Sequence, residues 1–148
     1  MNNLMIEASQ DSSSVHFILP LKEKRSASNN ELLKNYRNYY KKGKAAKSKK
    51  DYALAYVFFN DALRYARLIN WKEALAYVKL EIADIDLATN KYSRAYKHYM
   101  ACLNFTLIYE LDSIISIVYF KLSTYYSIKG NGVLSKEYNN RAIKAIAA

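Results

Sequence analysis

One spacing occurs three times in this chain, at intervals of 40 residues, and it limits the possible folds more than any other feature. Asp51-Tyr52-x-x-Ala55-x-x-x-Phe59-x-x-Ala62 returns as Lys91-Tyr92-x-x-Ala95-x-x-x-Tyr99-x-x-Cys102. A more diverged copy reads Asn131-Gly132-x-x-Ser135-x-x-x-Asn139-x-x-Ala142. Steps of three and four place these residues on one face of a helix. A fixed period of this length marks stacked supersecondary units, none of which buries its apolar face alone.

Composition points the same way. Only three Gly and one Pro occur in 148 residues, and a chain so short of turn residues favours helices over sheets. Fifteen tyrosines supply packing area with a polar tip, which suits seams between helices. In the first unit Leu32, Tyr36, Tyr39, Gly43 and Ala46 form one helical face, and Tyr52, Ala55, Phe59, Ala62 and Ala66 form a second after a break at Ser48–Asp51. The small residues Gly43, Ala55 and Ala62 allow close helix approach, with Tyr39 and Phe59 filling the space beside them. The second unit repeats this with Ile82 and Ala83, then Tyr92, Ala95, Tyr99 and Cys102. The third offers Tyr119, Leu122, Ser123 and Tyr126 before a turn at Lys129-Gly130-Asn131-Gly132. Helix starts are expected at Ser28-x-x-Glu31, a capping-box spacing, at Asn70-Trp71-Lys72-Glu73, and near Asp112-Ser113. The expected architecture is an all-α solenoid of three antiparallel helical hairpins, with units at 31–70, 71–110 and 111–148.

Residues 1–30 are rich in Ser and Asn and lack a helical period, so they are expected to form a flexible arm. Within them Val15-His16-Phe17-Ile18-Leu19 is an apolar cluster able to dock as a short extended segment, and Pro20 opposes a helix running through it. The net charge of +10 is concentrated: residues 21–50 carry eleven Lys/Arg against Glu23 and Glu31. Cys102 is the only cysteine, which excludes an intramolecular disulfide and fits a small buried side chain in a reducing compartment. No apolar run reaches membrane-spanning length, and Met1–Met5 lacks the features of a secretory signal, so a cytoplasmic location is expected.

The pattern resembles the tetratricopeptide repeat, in its longer variety with a 40-residue period. Tyr39, Gly43, Ala55, Phe59 and Ala62 match that signature in the first unit, Ala83, Ala95 and Tyr99 in the second, and Tyr119, Tyr126 and Ala142 in the third. Asp86 stands where the family usually has an aromatic residue, and no unit has the closing proline. The resemblance implies that the first helix of each hairpin lines a concave groove. It carries over Arg37, Tyr40, Lys41, Lys44 and Lys47 from the first unit as groove residues. The second unit contributes Tyr77, Leu80, Glu81 and Asp84, and the third Phe120, Lys121 and Thr124. Such a groove is cationic at one end and aromatic at the other, fitting a polypeptide with acidic and apolar anchors. The positions that form the family's carboxylate clamp hold Tyr40 and Lys44 here.

No catalytic or cofactor-binding constellation is present. His16 and His98 sit in no metal-ligand spacing, Gly130-x-Gly132 belongs to a turn, and Glu81, Asp84 and Asp86 lack a companion base. No enzyme and no cofactor is expected. The leading reading is a small adaptor or chaperone that binds a segment of another protein. Leu134, Tyr138, Ile143 and Ile146 leave the last helix with apolar residues for a partner or a second copy to cover. One alternative is nucleic-acid binding through residues 21–50, where Lys and Arg alternate with Tyr36, Tyr39 and Tyr40. Another is a peptide-sensing regulatory module.

Overall fold

Turns recur every 20 residues, and they set the whole architecture. A computed structural model of the chain describes the backbone of residues 20–148 and the side chains from residue 28 onward. It contains six helices: α1 (Pro20–Ser48), α2 (Tyr52–Ile69), α3 (Lys72–Ala88), α4 (Tyr92–Ile108), α5 (Asp112–Ile128) and α6 (Gly132–Ala147). No strand occurs among the described residues. Lys50, Asn70, Asn90, Glu110 and Gly130 all have φ between 53° and 79°. Each is the left-handed residue that closes the helix before it. Its N–H bonds the carbonyl three residues back, and the next N–H bonds the carbonyl five residues back, as in Asp51 to Ala46 and Asn131 to Tyr126. This double bond satisfies carbonyls that a helix end otherwise leaves unpaired. Only Gly130 enters the left-handed region without a Cβ penalty.

The helices pack as three hairpins, α1–α2, α3–α4 and α5–α6, stacked in chain order. The all-α solenoid of successive helical hairpins is therefore as the sequence led one to expect. The start signals are not. α1 runs through Ser28 and Asn30 from Pro20, so residues 20–30 belong to a helix and the Ser28–Glu31 box caps nothing. Proline fits the first turn, where its missing N–H is not needed. Asn70 is the left-handed terminator of α2, and Trp71 precedes α3 without a side-chain cap. Leu111 likewise precedes α5, and Asp112 is already inside that helix. True side-chain caps stand at Asp51 and Asn131, which accept from the N–H groups of Leu54 and Leu134. The Val15–Leu19 cluster and the rest of residues 1–19 lie outside the described residues.

Two apolar clusters form the core. The first gathers Tyr36, Ala46, Phe59, Ala62, Ala66, Val78 and Ile82; the second gathers Ala83, Tyr99, Cys102, Ile114, Val118 and Leu122. Gly43 lies against the Phe59 ring so closely that a Cβ there would stand 2.7 Å from two ring carbons. α3 touches α2, α4 and α5 and buries ten of its residues, including Glu81 and Asp86. A helix buried on nearly all sides that still carries carboxylates directs attention to where their charges go.

Candidate functional site

Glu81 and Asp84 lie one turn apart on α3 and face the side of the solenoid built from first helices. Lys47 of α1 bridges them, with its Nζ 2.6 Å from Glu81 Oε1 and 3.1 Å from Asp84 Oδ2. Lys44, one turn earlier on α1, stands 3.1 Å from Glu81 Oε2, and the Tyr40 hydroxyl donates to the same oxygen at 3.1 Å. From the other side Lys121 of α5 reaches Asp84 Oδ2 at 2.6 Å, and the Tyr99 hydroxyl of α4 donates to Asp84 Oδ1. Four helices thus converge on two carboxylates, and no buried side-chain polar atom among the described residues lacks a hydrogen-bond partner.

The electrostatics follow from this crowding. Burial alone would raise the Glu81 carboxyl, but Lys47 and Lys44 reverse that and hold it below its ordinary 4.5. Burial works against the Lys47 ammonium, and Asp84 and Glu81 outweigh it, so Lys47 titrates above the usual lysine value. Burial, and then the Glu81 charge, push Tyr40 far above 10; burial and Asp84 do the same to Tyr99. Both phenols remain donors across the physiological range.

Three lysines against two carboxylates leave this centre with one excess positive charge. The expected groove residues divide accordingly. Tyr40, Lys44, Lys47, Glu81, Asp84 and Lys121 are brought together in one network. Arg37 and Lys41 are exposed on α1, Tyr77 is half-buried, and Phe120 and Thr124 are exposed on α5. Leu80 is a correction: it is 3% exposed and belongs to the second core cluster, so it offers no surface to a partner. The cationic end is also less cationic than Arg37, Lys41, Lys44 and Lys47 suggested, because α3 answers part of that charge. In the last helix Tyr138 packs on Tyr126 and Tyr119, and Leu134 is half-buried, whereas Ile143 and Ile146 are exposed.

The tyrosines of the basic segment are already engaged. Tyr36 meets Trp71 edge-on and stacks on Tyr40, while Tyr39 stacks on Tyr65 at 5.7 Å. Cys102 is fully buried, and burial pushes its thiol up to about 12. Among the described residues no three His, Cys, Asp or Glu side chains gather in a metal-binding group, and no helix is long and apolar enough to cross a membrane.

The sequence reading missed a second charged group. Asp86, 2% exposed, lies 2.7 Å from His98 Nδ1 and 3.4 Å from Arg94, on the side of the solenoid built from second helices. Its signal lay in the repeats themselves: 40 residues on, Asp86 and His98 become Tyr126 and Tyr138. Comparison of the chain with protein-family models, with curated proteins and with solved structures returned no match in any of the three.

Proposed function

We propose that the chain is a non-enzymatic protein-interaction module of the tetratricopeptide type, an adaptor or chaperone that holds a segment of a partner protein across α1, α3 and α5. The observation that carries this reading is the network at Glu81 and Asp84. Lys44 and Lys121 each hold a buried carboxylate while their own side chains remain 53% and 37% exposed. An incoming carboxylate can share those ammonium groups, with Arg37 and Lys41 beside them and Phe120 offering an apolar anchor. The partner is accordingly a polypeptide with acidic and apolar side chains, met in a reducing, cytoplasmic setting.

The same reading gives the last helix a contact role. Ile143 and Ile146 lie 40 residues after Leu103 and Thr106, which are buried, and 80 after Leu63 and Ala66, also buried. In the first two units those positions are covered; here Ile143 and Ile146 are exposed and suit contact with a partner chain or a second copy.

A photo-crosslinking side chain at Thr124 tests the main claim, with the same group at exposed Arg64 on α2 as control. Crosslinks from position 124 that are lost on Lys41→Glu support it. Equal capture at both positions, unaffected by Lys41→Glu, refutes it.

A further inference from the structure

Repeat-equivalent positions provide an internal control for the second-helix side of the solenoid. Between the second and third hairpins, Tyr96 of α4 contacts Tyr125 and Tyr126 of α5 at ring separations of 5.5 and 6.2 Å. Tyr126 in turn stacks on Tyr138 of α6 at 5.5 Å, and Lys129 lies over the Tyr92 ring. Aromatic rings close that seam. Forty residues earlier the same framework positions hold Tyr56, Ile85, Asp86 and His98. The two rings at the Tyr126 and Tyr138 positions are replaced by a hydrogen-bonded Asp86–His98 pair.

A cavity of about 450 Å³ lies between α2 and α4, walled by Tyr52 and Tyr56, floored by Ile85 and Asp86, and rimmed by Lys91 and Arg94. Tyr56 also lines a second recess of about 250 Å³, bounded by Leu63, Arg67, Lys79, Ile82 and His98. Along α2 the pair extends from Tyr52 to Arg67, roughly 22 Å at ~1.5 Å per residue, long enough for about six extended residues. Arg67, Lys79, Lys91 and Arg94 border it, and Asp86 is the one carboxylate in its lining. That carboxylate is already held by Arg94 and His98.

The geometry points to a second binding site in this groove, one that takes an acidic segment of a partner polypeptide with an apolar or aromatic anchor. Charge complementarity selects the segment: a cationic rim over tyrosine walls, with the floor carboxylate Asp86 already paired, attracts carboxylates and receives a ring or an aliphatic chain between Tyr56 and Ile85. Asp86 acts as a positioning group, holding Arg94 at the rim and His98 where the next seam has a tyrosine ring. This site lies between α2, α4 and the Asp86 side of α3, and none of its lining residues belongs to the Glu81–Asp84 network, so each reading is tested by its own residues.

Two-dimensional amide NMR of the full chain tests it, with the acetylated hexapeptide Glu-Glu-Leu-Tyr-Glu-Glu as probe and its lysine counterpart and inorganic phosphate as controls. The expected result is saturable shifts confined to Ala53, Tyr56, Lys91, Arg94 and Ala101, absent with the lysine peptide. Lys91→Glu with Arg67→Glu, both exposed at the border of the groove and neither paired with Asp86, weakens binding about ten-fold or more. Asp86→Tyr with His98→Tyr, which reproduces the closed seam, abolishes it; the rim variant keeps the test decisive where the plugged one does not fold. Shifts at Thr124 and Lys121 instead, equal shifts from phosphate alone, or none at millimolar peptide would each overturn the proposal.

Discussion

Replacing Gly43 by alanine adds one methyl group at the closest approach of α1 and α2. Carbon atoms rest at about 3.5–4.0 Å from one another, and the new Cβ would lie 2.7 Å from Cδ1 and Cε1 of Phe59. The ring has no room to yield, because Phe59 is fully buried and Tyr40 meets it edge-on at 5.7 Å. Overpacking of this kind costs roughly 1–3 kcal/mol, and two sub-van der Waals contacts with a fixed ring put it at the upper end. Against this, alanine in a helix interior is favoured over glycine by about 1 kcal/mol. The net is a loss of about 1–2 kcal/mol, or roughly 3–7 °C in Tm for a chain of this length.

Gly132, the first residue of α6, is the control. A Cβ there meets nothing within 4 Å, so Gly132→Ala is neutral or stabilising by up to about 1 kcal/mol. Urea unfolding followed by helical circular dichroism measures both. Opposite signs for the same chemical change support the close helix approach, and a double variant with Phe59→Leu should be no less stable than Phe59→Leu alone. If Gly43→Ala stabilises the protein as Gly132→Ala does, the hairpin geometry is wrong.

Three further outcomes are expected. Lys50→Gly and Glu110→Gly each stabilise the fold by roughly 0.5–1 kcal/mol, since left-handed backbone costs a residue with a Cβ about 1–2 kcal/mol and glycine's extra freedom when unfolded returns part of the gain; thermal melts read this directly. Glu81 titrates below its ordinary value in the folded chain, so its contribution is complete above about pH 4.5 and is lost as pH falls through the lower folded value. Unfolding midpoints between pH 3 and 7 should fall less steeply toward acid in Glu81→Gln. Cys102, buried and with its thiol pushed up to about 12, should resist an alkylating reagent at pH 8 until the protein is unfolded by denaturant.

The hairpin stack was legible because periodicity reports burial. Ala55, Phe59, Ala62, Ala95, Tyr99 and Cys102 all fall at spacings that only one helix face satisfies, and all are fully buried. Helix ends were harder to read, since the chain closes its helices by backbone geometry at every twentieth residue. That conformation is carried by Lys50 and Glu110 as well as by Asn70, and a side-chain signature such as Ser28–Glu31 says nothing about it. The network at Glu81 was half visible. The repeat resemblance placed Glu81, Asp84, Lys44, Lys47 and Lys121 in one groove. Lys47 bridging both carboxylates, and Tyr99 reaching Asp84 from α4, depend on how hairpins stack, which no local pattern encodes.

Charge placement on α3 links the two candidate sites. One buried helix sends Glu81 and Asp84 to the first-helix side and Asp86 to the other, and these residues differ by only two to five positions. On the first side the acids draw lysines from α1 and α5 across the unit boundary, tying three hairpins together. On the second side Asp86 draws only Arg94 and His98 from its own hairpin, so it ties α3 to α4 and adds no ion pair to α2. A carboxylate that served stability alone would be outdone by the tyrosine pair used at the next seam, which fills space and needs no ion partner. Exchanging one arrangement for the other therefore separates the two roles. Asp86→Tyr with His98→Tyr should hold or raise the unfolding midpoint while closing the groove, whereas loss of folding would show that the open seam is structurally required.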